Sequence, residues 1–81
     1  MKSMSSLSFY TTSGCHLCEQ AELIFNQYGY NLSEAIKPID IADDDGLVEL
    51  YGIRIPVLKR GDTGAELGWP FDLDDLIQFL E

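Results

Sequence analysis

The chain has 81 residues, 46% of them hydrophobic, enough for one modest core and too few for two, so residues 1–81 read as a single domain. Fourteen acidic residues against five lysines and arginines give a formal charge of −9, which repels phosphate backbones and anionic lipid headgroups; neither nucleic acid nor a membrane is expected as a partner. The Met1–Ser6 start is followed by no apolar core of signal-peptide length, and no later run is long enough for a bilayer, so the expectation is a soluble, cytoplasmic protein.

Residues 7–12, Leu-Ser-Phe-Tyr-Thr-Thr, have the aromatic and β-branched content of a strand, which Ser13-Gly14 breaks. From Leu17 apolar residues recur at Leu17, Ala21, Ile24 and Tyr28, with Phe25 beside them, while Glu19, Glu22 and Gln27 face water; this predicts a helix closing at Gly29. Ala35–Ile41 alternates apolar and polar residues, but Pro38 cannot donate to a ladder, which places this strand at a sheet edge. Asp43-Asp44-Asp45 then caps a short helix carrying Leu47, Val48, Leu50 and Tyr51, ended by Gly52; the aspartates lack the alternating spacing and later glutamate of a calcium loop. Pro56–Arg60 and Ala65–Trp69 flank the turn-rich Gly61–Gly64 and read as an antiparallel hairpin. Leu73, Leu76, Ile77 and Leu80 repeat at helical spacing behind Asp72, Asp74 and Asp75, which suit a helix N-terminus. The order βαβαββα implies an α/β fold, a four-stranded mixed sheet with helices on both faces.

The chemistry-bearing stretch is Cys15-His16-Leu17-Cys18, placed where the first strand turns into the first helix. Unpaired N–H groups and the helix dipole favour a thiolate at Cys15, and Cys18, one turn on, is close enough to attack it. Cys15 as nucleophile and Cys18 as resolving thiol make a dithiol redox site that passes through a mixed disulfide with its partner. Two cysteines this close are not the framework of a secreted mini-protein, and a mononuclear zinc site lacks ligands: beyond the cysteines only His16 is offered, wedged between them. No metal is expected within one chain; a metal shared between two chains stays open. His16 itself is either an exposed residue of the first helical turn or, when protonated, a stabiliser of the Cys15 thiolate.

A CxxC at a strand-to-helix turn, followed about forty residues later by Ile55-Pro56 at the start of a hairpin, resembles the thioredoxin superfamily, and the small size resembles glutaredoxins in particular. Cys15-His16-Leu17-Cys18, Tyr51-Gly52-Ile53-Arg54-Ile55-Pro56-Val57-Leu58 and Gly68-Trp69-Pro70-Phe71-Asp72 look closest to a group of small bacterial glutaredoxin-like proteins. The resemblance implies that Pro56 is cis and packs beside the cysteines, and that Ile55 offers its backbone N–H and C=O to an incoming chain. It also implies substrate contacts from the region of Trp69 and Asp72, where glutaredoxins hold the γ-glutamyl end of glutathione. The departures are specific: Thr12 stands where glutaredoxins carry a lysine, Trp69 where they carry a second glycine, Gly14 where thioredoxins carry a tryptophan, and Phe9 where thioredoxins bury a carboxylate.

These readings converge on a thiol-disulfide oxidoreductase with no bound cofactor, acting on a disulfide-containing protein or on glutathione as co-substrate, recharged by a separate reductase, with a monomer as the default state. Two further classes remain open: a carrier of a glutathione-bridged iron-sulfur cluster with Cys15 as ligand, and a non-enzymatic adaptor in which the cysteines are incidental. Arg54 reads as solvated or as a partner for a substrate carboxylate, and Tyr10 as core or rim.

Overall fold

The computed structural model of the protein describes residues 7–29, 32 and 35–80; the Met1–Ser6 segment lies outside them. The elements follow as β1 (Leu7–Thr11), α1 (His16–Tyr28), β2 (Ile36–Asp40), a 3-10 turn (Ile41–Asp43), α2 (Asp45–Tyr51), β3 (Val57–Arg60), β4 (Glu66–Gly68) and α3 (Leu73–Leu80). The strands form one mixed sheet in the order β2-β1-β3-β4, with β1 parallel to β2 and antiparallel to β3, and β3 antiparallel to β4. The βαβαββα order is therefore as the periodicities imply, and β2 lies at an edge. Pro38, opposite Phe9, lacks an N–H, which an edge strand tolerates on its open side.

The period of two in the strands divides the core between the two faces of the sheet. Leu7, Phe9 and Leu58 join Cys18, Ala21 and Phe25 of α1, Leu76 of α3, Leu32 and Phe71 in the larger cluster. Val57 packs with Ile41 and Tyr51, flanked by Tyr10 and Leu47, in the smaller one. A line of aromatic rings runs through the larger cluster: Phe9 meets Phe25 edge-on at 5.0 Å, Phe25 lies near-parallel to Phe71 at 6.1 Å, and Trp69 meets Phe71 edge-on at 5.0 Å. Each such contact adds about 0.5–1.5 kcal/mol to the burial of the rings themselves.

The buried stripe of α1 differs from the sequence reading. Cys18, Ala21 and Phe25 are buried, whereas Leu17 and Tyr28 are each 44% exposed. Counting Cys18 as the small hydrophobe that a buried thiol is would have given the i, i+3, i+7 face directly. In α2 only Tyr51 is buried, and Val48 and Leu50 face outward, because two turns present one side to the sheet. Both helix starts behave as the aspartates suggest: Asp44 accepts from the N–H groups of Gly46 (2.8 Å) and Leu47 (3.3 Å). Asp72 and Asp75 each accept the other's backbone N–H, at 2.9 and 3.2 Å, a reciprocal box at the head of α3. No helix among the described residues is long and apolar enough to cross a membrane.

Candidate functional site: a buried and a half-buried cysteine at the head of the first helix

β1 ends at Thr11, opposite Asp40, and the chain turns through Gly14 into α1. Gly14 has φ +75, a left-handed conformation that side chains disfavour, so the residue found here in thioredoxins, a tryptophan, would be strained in this loop. Cys15 is the N-cap of α1: its backbone is extended (φ −94, ψ 105), its carbonyl accepts the Glu19 N–H at 3.2 Å, and its Sγ accepts the Cys18 N–H at 3.1 Å. The sulfur thus occupies the place of a capping oxygen, facing donors that helix geometry leaves unpaired. Cys15 and Cys18 are joined as a disulfide with their Cα atoms 5.2 Å apart. Cys18 is 2% exposed, while Cys15 is only half-buried at the edge of the larger core cluster, so of the two residues only Cys15 reaches the surface.

The Ile55-Pro56 bond is cis, as the resemblance implies, and so is Trp69-Pro70, for which the sequence reading had no signal. Pro56 is fully buried, and its carbonyl accepts the Trp69 N–H at 3.2 Å, which ties the start of β3 to the end of β4. Ile55 packs against the same cluster as Cys15. Its N–H, expected to be offered to a partner, is instead used within the chain: it donates to the Tyr51 carbonyl at 3.0 Å, alongside the Arg54 N–H at 2.8 Å. The tight exit from α2 brings both N–H groups to the one carbonyl of Tyr51, the last of the helix.

Arg54 is exposed, as one of the two readings has it, but it is engaged within the chain. It forms an ion pair with Glu66 of β4, and its guanidinium lies 5.0 Å from the centre of the Tyr51 ring. The Tyr51 hydroxyl donates to the other Glu66 oxygen at 2.7 Å, and its ring stacks on Tyr10 at 4.2 Å. Burial, and then the Glu66 bond, push the Tyr51 hydroxyl up to about 12, while the Arg54 hydrogen bond and then that of Tyr51 hold the Glu66 carboxyl below its ordinary value. This group fastens the segment before Pro56 to β4. Sequence reasoning missed it because Glu66 is one acidic residue of fourteen, and only the hairpin register brings it beside Tyr51.

The other candidates divide. Trp69 is half-buried, held edge-on by Phe71 and by its bond to Pro56. Asp72 is exposed, with its carboxylate and N–H both engaged by Asp75. His16 is 90% exposed and approaches Glu19 at 4.0 Å, while Cys15 Sγ takes its hydrogen bond from backbone. Thus Cys15, Cys18, Ile55 and Trp69 meet at the larger core cluster, and Pro56, buried next to Ile55 in the chain, is joined to Trp69 through its carbonyl; His16 and Asp72 are turned to solvent.

A mixed four-stranded sheet with a CxxC heading its first helix and a cis-proline opening its third strand defines a glutaredoxin-like α/β protein. Residues 6–81 match the glutaredoxin-like domain (DUF836) model, and the chain belongs to that family. Among solved structures it is similar to protein XcR50 from X. campestris, at 39% identity over 93% of this chain and 95% of that one, with a TM-score of 0.81 to its X-ray structure. The solution structure of XcR50 gives a TM-score of 0.79. Protein Ne2328 from Nitrosomonas europaea is 27% identical over 100% of this chain and 96% of its own, with a TM-score of 0.80. Comparison with the curated proteins gives no match.

Proposed function

We propose that the protein is a thiol-disulfide oxidoreductase in which Cys15 attacks and Cys18 resolves. The observation that carries this reading is the asymmetry of the pair: a half-buried cysteine whose sulfur caps a helix and receives an N–H, bonded to a cysteine that is buried behind it. In the reduced state the same N–H and the helix N-terminus favour a thiolate at Cys15. The Ile55 carbonyl and the rigid Pro56 align the partner's chain, and Trp69 walls the far side. His16 acts on the thiolate only through water, where its charge is screened, so its contribution is small. Asp72 serves α3 first and substrate second.

The test is to trap the intermediate. A Cys18→Ser variant, reduced and mixed with a peptide disulfide, accumulates one partner cysteine per chain by mass spectrometry, whereas Cys15→Ser accumulates none. Equal labelling of the two variants, or none in either, rejects the assignment.

A further inference from the structure

The strand registers sort the charges by end of the sheet. Lys37 and Lys59 both stand opposite Ser8, and Arg60 opposite Leu7, where β1 begins. Cys15 follows the other end, beyond Thr11; three residues at about 3.3 Å each put roughly 10 Å between the two. At the cysteine end Asp40 is opposite Thr11 and leads directly into Asp43, Asp44 and Asp45. Glu19 lies in the first turn of α1, and Asp74 and Asp75 lie in the first turn of α3, the element that follows β4, whose last residue, Gly68, is opposite Val57. The one lysine or arginine on this side among the described residues, Arg54, is bound to Glu66. The head of α3 offers little to an anion, because the N–H groups of Asp72 and Asp75 are held by each other's carboxylates. Two apolar side chains also face water here: Leu17, between the cysteines, and Ile53, fully exposed three residues before Pro56.

We infer that the disulfide this pair exchanges with belongs to a polypeptide carrying lysine or arginine beside its cysteines, and that anionic disulfides, glutathione disulfide among them, are selected against. The inference rests on the redox reading above. Anionic surroundings raise the local concentration of a cationic partner and lower that of an anionic one, and Leu17 and Ile53 suit a polypeptide surface better than a small thiol. In the step itself the Cys15 thiolate attacks one sulfur of the partner, the partner's S–S bond breaks, and its first thiolate leaves. Cys18 then attacks Cys15, the mixed disulfide breaks, and the second thiolate leaves. Two electrons pass to the partner, and the two protons of the cysteine thiols end on its two thiols. A dithiol reductant restores the pair.

The experiment uses three synthetic peptides that share one intramolecular disulfide and differ only in two flanking residues: lysine, glutamine or glutamate. Each rate with the reduced protein is divided by that peptide's rate with dithiothreitol, which removes intrinsic reactivity. At low ionic strength the lysine peptide reacts at least tenfold faster than the glutamate peptide, with glutamine between, and the ratio falls below threefold when salt shortens the screening length to about 4 Å. In an Asp43→Asn, Asp45→Asn double variant the lysine peptide slows and the glutamate peptide speeds up, opposite changes that a loss of folding does not produce. Equal lysine and glutamate rates, or a ratio indifferent to salt, overturn the inference and leave the redox reading standing. If no peptide reacts faster than it does with Cys15→Ser, the redox reading falls and takes this inference with it.

Discussion

Tyr51→Phe isolates one bond in the segment that carries Pro56. The substitution keeps the buried ring, its stack on Tyr10 and its contact with Arg54, and removes the hydroxyl that donates to Glu66 at 2.7 Å. A hydrogen bond to a charged group contributes about 1.5–3 kcal/mol. Glu66 keeps Arg54, and its side chain, 27% exposed, can take up water in place of the hydroxyl, so the low end applies, about 1.5 kcal/mol. For a domain of this size that is a fall in Tm of about 6–12 °C, read by circular dichroism at neutral pH. The alkaline limb gives an independent reading. A tyrosine raised in the folded state stabilises the fold fully below its ordinary value of 10.0, and that contribution is lost as pH rises towards about 12. In wild type the Tyr51 hydroxyl therefore ionises only as pH rises towards about 12, read by near-ultraviolet absorbance, and in Tyr51→Phe that step is gone. A loss of Tm under about 2 °C, or a step near that pH that survives in Tyr51→Phe, refutes the reasoning.

The acid limb belongs to Glu66, whose carboxyl is held below its ordinary value of 4.5, first by Arg54 and then by Tyr51. Its stabilisation is present above that pH and lost as pH falls through the folded value, so Glu66→Gln flattens the decline in Tm on acidification. Gly14→Ala forces a side chain into φ +75 and costs about 1–2 kcal/mol in urea denaturation, although open space surrounds the site. Asp72→Ala removes the cap of Asp75 and lowers stability by about 1 kcal/mol; an unchanged midpoint shows that water serves α3 as well.

Most of the fold can be read from local patterns because each element carries its own signal. Pro38 marked the edge strand, the aspartates marked both helix starts, and Gly14 marked the turn before Cys15. What escaped depends on partners distant in sequence. The Tyr51–Glu66 bond joins residues fifteen positions apart, and the use of the Ile55 N–H depends on how α2 ends rather than on Ile55 itself. The cysteines were legible as chemistry and therefore misread as packing: Cys18 is a core residue of α1 as much as a thiol. The cis bond at Pro70 escaped because the residue before a proline, here Trp69, only shifts the balance between the two isomers, and the surrounding fold selects one.

The Cys15–Cys18 bond spans three positions along the chain and closes a loop so short that it removes little freedom from the unfolded chain, about 2 kcal/mol by the chain-entropy relation. Both of its residues touch the larger core cluster, Cys18 as a member and Cys15 at its edge, so the crosslink lies against the packing that runs from Phe9 to Leu76. Over a single helical turn the bond joins surface to interior, its outer half in Cys15 and its inner half in Cys18. A molecule that meets this face therefore meets Cys15 before Cys18, and the path from the surface to the inner sulfur runs through the outer one.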